Sequence, residues 1–136
     1  MSADGIVTLL SQYSVAETID RLAAAAEAAG LRIFARIDHG RNAAEIGAPL
    51  RPTELLIFGH PTGGTPLMQY KQTAGIDLPV KALAFEDADR RVWLAYYDAH
   101  WLAERHGLSG ASHDNVEAIQ AGMQRLTKSA VAREAD

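Results

Sequence analysis

The sequence predicts an α/β fold of the α+β type, with helices packed on one mixed, largely antiparallel sheet of about five strands. Two observations support this fold class. Hydrophobic periodicity switches repeatedly between strand and helix spacing along the 136 residues, and two strand-like segments flank a short acidic turn. Since no long linker divides the chain, we expect a single domain over residues 1–136 with the order β-α-β-(short α)-β-α-β-β-α-α.

The first three elements are indicated by local patterns. Residues 6–10 are mostly apolar and β-branched, which favours a strand. Ser14 and Glu17 form a capping box, and the helical repeat behind them ends at Gly30. Residues 31–38 alternate with period two, which predicts a second strand. One face of that strand would carry Leu31, Ile33, Ala35 and Ile37, and the other Arg32, Phe34, Arg36 and Asp38.

The middle of the chain combines a buried strand with a glycine-rich turn. A short helix is predicted from about residue 42 to 46, and the apolar run 54–58 is typical of a central strand. Residues 59–64 are interpreted as a flexible turn. Thr65 would then cap a helix that begins with Pro66, where a missing N–H does no harm.

The last third predicts a hairpin followed by two helices. Strands near residues 80–86 and 91–98 flank the turn, and a short helix follows at about 100–105. Asp114 and Glu117 form a second capping pair ahead of an additional C-terminal helix at residues 113–132. Its apolar stripe indicates one packing partner, either the same domain or a second subunit. That stripe contains Val116, Ile119, Met123, Leu126 and Ala130.

Two apolar faces on the last strand suggest an assembly. Trp93 and Tyr97 project to one face, whereas Val92, Leu94 and Tyr96 project to the other. Because monomers rarely leave a large apolar patch in water, we expect a homodimer or the last helix to cover the second face.

Composition excludes several functional classes. The net charge is −4, so no basic surface for nucleic acid is expected. The absence of cysteine excludes disulfides and thiolate chemistry. No segment has the length and apolarity of a signal sequence or membrane span, so we expect a cytoplasmic protein without a membrane partner.

Several short motifs in order resemble one known family. Between about Tyr13 and Leu108 they run Arg36-Ile37-Asp38-His39, Asn42-Ala43, Gly47, Leu50-x-Pro52, Phe58-Gly59-His60-Pro61, Leu67-Met68, Gly75-Ile76-Asp77-Leu78-Pro79-x-Lys81 and His106-Gly107-Leu108. This order and spacing are similar to those of the domain of unknown function 302 family of small bacterial and archaeal domains. The resemblance implies a family-like core at residues 13–108, an α/β sandwich and a dimer, but no reaction. Family members more often carry Asn at the position of His60.

The first candidate site lies where the second strand ends. Asp38 can hold the neighbouring imidazole of His39 in one tautomer, which would leave the other ring nitrogen as a base or ligand. Alternatively, Asp38 or Asn42 caps the short helix and His39 bonds to the backbone.

The second candidate site is the glycine-rich segment before a helix. Free N–H groups and the helix dipole at such a position attract anions. The segment lacks the Gly-Lys-Ser/Thr ending of a phosphate-binding loop, so the glycines alternatively serve only the turn. The ligand-binding candidates here are Gly59, His60, Gly63, Gly64 and Thr65.

Lys81 is the third candidate, because both faces of its strand are apolar. It would either enter a cavity as a base or imine former, or extend to water and pair with Glu86 or Asp98. The spacing of the five histidines matches no metal motif, so no native metal is favoured, and the sequence leaves the identity of any other cofactor unknown.

We therefore predict a homodimeric module that binds a small, possibly anionic, molecule. One alternative is an enzyme in which His39 acts as base with Lys81 or Tyr96 as partner, which requires these groups to converge. The other is a protein-interaction domain whose active surface is the dimer face or the last helix.

Overall fold

One antiparallel sheet contains the five strands of the described part of the chain. The structure, a computed structural model, describes residues 4–108 and 110–133. Its elements are β1 (Ile6–Ser11), α1 (Val15–Ala28), β2 (Arg32–Asp38), α2 (His39–Glu45), β3 (Thr53–Gly59), α3 (Pro61–Tyr70), β4 (Lys81–Glu86), β5 (Val92–Tyr97), α4 (Ala99–Arg105) and α5 (His113–Val131). Short 3-10 turns at Gln72–Asp77 and Gly110–Ser112 precede β4 and α5.

The strand order is β1-β5-β4-β3-β2, and each neighbouring pair is antiparallel. The predicted α+β class and element order are confirmed. The mixed sheet that the sequence allowed is antiparallel in all four ladders. The helix α1 joins β1 to β2, which run in the same direction at the two edges of the sheet, and each later connection reverses the chain.

The helices α1 and α5 cover one face of the sheet, which we call the covered face. Side chains from this face and from the two helices form the main core, and several of them are fully buried. The largest are Ile19, Leu22, Leu56, Phe58 and Leu94. The apolar stripe of α5 thus packs against its own domain, mainly against α1 and also against α3, α4 and β1. This settles the alternative that the sequence left open.

The opposite side of the sheet, which we call the open face, carries a second set of apolar side chains. It contains Ile6, Leu10, Ala35, Ile37, Leu55, Ile57, Leu83, Phe85, Trp93, Ala95 and Tyr97. Most are half-buried by their neighbours, and Leu10 is 45% exposed. Trp93 and Tyr97 lie on this face and Leu94 and Tyr96 on the other, as predicted.

The predicted alternation of β2 is wrong, because the strand contains a β-bulge. The register with β3 shifts between Ile33 and Ala35. Ile33 therefore faces the helices, whereas Ala35 and Ile37 lie on the open face. The bulge also turns Arg36 toward the covered side, where its Nε lies 2.8 Å from Oε1 of the buried Glu54. A single extra residue reverses the faces of the following side chains.

The predicted start of α3 is wrong by five residues. The helix begins at Pro61, Gly63 and Gly64 lie in its first turns, and Pro66 is an interior residue. The cap is His60, not Thr65. Pro61 suits the first helical position as well as Pro66 does, and an upstream cap was available in the histidine ring.

Two other helix starts also differ from prediction. α2 begins at His39 because Asp38 caps it, which is the structural alternative that the sequence allowed. α5 begins at His113, so Asp114 lies inside its first turn and does not form the predicted capping pair. Oε1 of Glu117 instead lies 2.9 Å from Nε2 of His100.

Candidate functional site

A pocket of about 410 Å³ opens between α3, α5 and the adjoining ends of β3 and β4. Its volume lies within the usual range for small-molecule sites. The wall is mostly apolar and includes Leu31, Phe34, Phe58, Met68, Val80, Ile119 and Leu126. The pocket thus lies at one end of the sheet, on its covered face.

Glycine allows the chain to build one side of this pocket. Gly59 has a φ of +151°, a conformation that L side chains rarely adopt, and it turns the chain from β3 into α3. Gly63 and Gly64 follow in the first turns of the helix and line the pocket with backbone rather than side chain.

His60 is both a helix cap and a wall of the pocket. Its Nδ1 accepts the backbone N–H of Thr62 at 3.1 Å, and the hydroxyl of Thr62 lies 2.9 Å from the same atom. This geometry assigns the proton of the neutral ring to Nε2. An asparagine Oδ1 would accept the same N–H, so Asn in place of His60 would cap α3 in the same way.

Arg125 is the cationic residue of the pocket, and sequence reasoning missed it. This exposed residue of α5 has no hydrogen bond or ion pair with any described residue, although its side chain lines the opening. No Asp or Glu is present among the described residues of the lining. In a chain of net charge −4, this is a locally electropositive environment.

Gly122 of α5 leaves unfilled space in the same wall. A Cβ placed on it would meet no atom within 4 Å. A larger side chain at this position would therefore enter the pocket without a clash. Neither Arg125 nor Gly122 could be identified from local sequence patterns, because the pocket joins segments that lie far apart in the chain.

The predicted candidates separate into three groups. Those of the glycine-rich segment all line the pocket: Gly59, His60, Gly63, Gly64 and Thr65. Asp38, His39 and Asn42 lie at the other end of β2, since Asp38 pairs with Glu54 whereas Arg32 pairs with Gly59. Asp38 there accepts the N–H of Arg41 at 2.8 Å as the cap of α2.

Lys81 and Tyr96 project to opposite faces of the sheet. Lys81 pairs with Ile57 and lies on the open face, where it forms no ion pair with a described residue, including Glu86 and Asp98. Tyr96 is buried on the covered face, beside Thr127.

Burial raises the pKa of Tyr96 above its ordinary value of 10.0, which favours the neutral phenol at physiological pH. The structure therefore does not bring His39, Lys81 and Tyr96 to a common point. The convergence that acid-base catalysis by these residues would need is not present.

A buried acid–histidine contact lies outside the pocket. Nε2 of His106 is 2.5 Å from Oδ2 of Asp77, and Nε of Arg105 is 3.5 Å from the same oxygen. Both motif segments that contain these residues were noted in the sequence, but their contact was not predicted. The contact ties the segment before β4 to the end of α4.

Residues 4–108 and 110–133 contain neither a cluster of metal ligands nor a membrane-spanning helix. Within these ranges, no three His, Asp or Glu side chains gather as a metal ion would require. None of the helices described there combines the length and apolarity needed to cross a membrane.

Comparison with known proteins relates the whole domain to one family. The model of the family described as "Domain of unknown function DUF302" matches residues 7–129. This match includes most of α5, beyond the motifs that end at Leu108. A crystal structure of an uncharacterized conserved DUF302 protein from Bacillus stearothermophilus superposes with a TM-score of 0.83. It covers 96% of this chain and 100% of that chain at 15% identity, so the likeness concerns the fold.

Curated relatives from Brucella are longer proteins. The chain is 51% identical over 124 residues to "Fluoride-specific ion channel FluC 1" of Brucella suis, which covers 91% of this chain and 49% of that protein. The same identity and length are found with FluC 1 of Brucella abortus, where 46% of the relative is covered. The chain thus spans about half the length of the curated relatives it matches.

Proposed function

We propose a function for this chain from one premise: it belongs to the family of the domain of unknown function DUF302. The proposed function is that of a homodimeric binding module, which holds a small molecule in the pocket between α3 and α5. The observation that carries this proposal is the pocket itself, with its volume of about 410 Å³ and its mostly apolar wall.

Several features support the view that the pocket binds a ligand and is not simply a packing defect in the core. Gly122 leaves open space beside the apolar wall, and Nε2 of His60 has no hydrogen bond with a described residue. Arg125 adds an unpaired cation at the opening. An apolar enclosure with a few polar groups at its rim is the usual arrangement of a small-molecule site.

A thermal-shift screen of a metabolite library tests this function. A ligand that binds the native state raises the melting temperature, and at a concentration of 100 Kd it stabilises the fold by about 2.7 kcal/mol. Gly122→Leu should abolish the shift because the added side chain fills the pocket. Ala121→Leu places the same side chain on the exposed neighbouring position of α5 and should keep the shift.

The function would be rejected if no compound stabilised the wild-type protein. It would also be rejected if Gly122→Leu and Ala121→Leu had equal effects on every hit, because binding would then lie elsewhere.

The homodimer is the second part of the proposal, and the open face supports it. Five strands of about six residues give this face a footprint of about 24 Å by 20 Å. That extent is of the same order as one side of a standard protein interface. Among its central side chains are Leu55, Leu83 and Phe85, and a second copy would bury them.

Sedimentation equilibrium tests the dimer. Leu83→Glu places a charge at the centre of the open face on β4, and we expect it to convert dimers to monomers because burial of an unpaired carboxylate is unfavourable. Ala88→Glu adds the same charge in the exposed hairpin turn and should leave the mass unchanged. A wild-type monomer at micromolar concentration would contradict the dimer.

A second candidate function comes from the names of the Brucella relatives. Because those proteins are named fluoride-specific ion channels and this chain matches about half of their length, a domain that responds to fluoride is the alternative. Sodium fluoride would then raise the melting temperature more than sodium chloride at equal ionic strength. Equal effects of the two salts would favour the small-molecule function.

A further inference from the structure

We infer that the ligand of the pocket is an amphipathic monocarboxylate, with an apolar body inside and its carboxylate at the opening beside Arg125. This inference rests on the proposed binding function and specifies the chemical class of the ligand. The alternatives it excludes are neutral and cationic molecules of the same shape.

The charges around the pocket support an anion. Arg125 is unpaired among the described residues, and the lining contains no acidic side chain within the described part of the chain. A cationic ligand would therefore find no counter-charge there. A guanidinium forms paired hydrogen bonds with a carboxylate, which adds orientation to the attraction.

A second polar group lies in the same wall. The assignment of His60 as an acceptor at Nδ1 leaves its Nε2–H without a partner among the described residues. This N–H can donate to a ligand oxygen. A ligand with one oxygen-rich end thus matches the polar groups that this pocket offers.

The apolar part of the wall determines the rest of the ligand. Leu31, Met68 and Ile119 come from the α1–β2 turn, α3 and α5, and each is half-buried in the apolar wall of the pocket. Burial of alkyl or aryl groups against such a surface contributes about 25 cal/mol per Å² of apolar area. A small, fully charged metabolite would leave this lining in water, so an amphipathic molecule fits better.

The test compares three probes of equal length by isothermal titration calorimetry: octanoate, octan-1-ol and octylammonium. We expect octanoate to bind wild-type protein most tightly and octylammonium least. Arg125→Gln should weaken octanoate binding about tenfold and leave octan-1-ol unchanged, since the guanidinium is partly screened by water. Lys128→Gln removes a positive charge from the same helix outside the pocket, and it should change neither affinity.

Gly122→Leu separates failure of this inference from failure of the proposed function. If octan-1-ol and octanoate bind equally and Gly122→Leu blocks both, the pocket binds ligands but the carboxylate inference is overturned. If Arg125→Gln and Lys128→Gln weaken octanoate equally, the attraction is due to net charge and the inference is again overturned. If none of the three probes binds while library compounds shift the melting temperature in a Gly122-dependent way, the inference fails and the proposed function stands.

Discussion

The two faces of the sheet have similar composition but different surroundings. Leu56 and Leu55 are neighbours on β3, yet Leu56 is fully buried beneath α1 whereas Leu55 is half-buried on the open face. Tyr96 and Tyr97 on β5 show the same contrast. The alternation of side chains therefore predicts which residues share a face of the sheet. The position of the helices determines which of the two faces forms the core.

The difference extends to function. The covered face contains the core and, at one end, the pocket between α3 and α5. The open face carries Lys81 and a largely apolar surface, and Trp101 of α4 stacks on Tyr97 there. The proposed ligand site thus lies on the first face, and the proposed dimer contact lies on the second.

The largest expected effect distinguishes the two leucines of β3. Leu56→Ala should lower the free energy of unfolding by about 3 kcal/mol because it creates a cavity in the core. Leu55→Ala should lower it by about 1 kcal/mol in the monomer. Urea denaturation of both variants measures the difference, and at high protein concentration the loss at Leu55 should grow if a dimer covers it. Equal losses in the monomer would contradict the assignment of faces.

A smaller effect distinguishes the two tyrosines of β5. Tyr96→Phe should lower the free energy of unfolding by about 1 kcal/mol at pH 7 because its buried hydroxyl loses the polar contact with Thr127. Tyr97→Phe on the open face should change it by less than about 0.5 kcal/mol.

The pH dependence gives a further check on Tyr96. Burial raises the pKa of Tyr96, so its contribution to stability is complete below pH 10 and is lost as the pH rises through the folded-state pKa. The difference in free energy of unfolding between the wild-type protein and Tyr96→Phe should therefore become smaller in alkaline solution. A deficit that stays constant above pH 10 would show that the phenol is solvated.

The smallest expected effect concerns the hairpin turn at the margin of the open face. Asp87 accepts the indole N–H of Trp93 at 2.8 Å, and this bond, with help from backbone N–H groups, lowers the pKa of the carboxyl. Its stabilisation is present above the unfolded-state pKa near 3.8 and is lost as the pH falls through the folded-state value. Asp87→Asn should thus reduce the melting temperature slightly at pH 7, and the difference should disappear in acid. A difference independent of pH would argue against a role for the charge.

Much of the fold could be predicted because its signals are local. The capping interaction of Ser14 with the N–H of Glu17, the stripe of α5 and the hairpin between β4 and β5 depend on residues close in sequence. The start of α3 at Pro61 was missed because two prolines in the segment fit the first turn of a helix.

The candidate site could be predicted only in part. Its glycine-rich side, from Gly59 to Thr65, is one continuous segment and was identified by the helix that follows it. Arg125 lies on the polar side of α5, far along the chain from residues 59–65. The helical pattern predicts only that such a residue is exposed to solvent, and it gives no indication of a pocket. His39 and Lys81 were also candidates on sequence grounds, but the sheet places them away from the pocket.

The bulge in β2 has a consequence for how copies of this protein associate. β2 is an edge strand, and its free backbone groups would otherwise template the addition of a strand from another molecule. The displaced residue between Ile33 and Ala35 interrupts that template. Growth along this edge into an open-ended fibril is thereby disfavoured, and pairing of two open faces about a two-fold axis is a closed arrangement that stops at two copies.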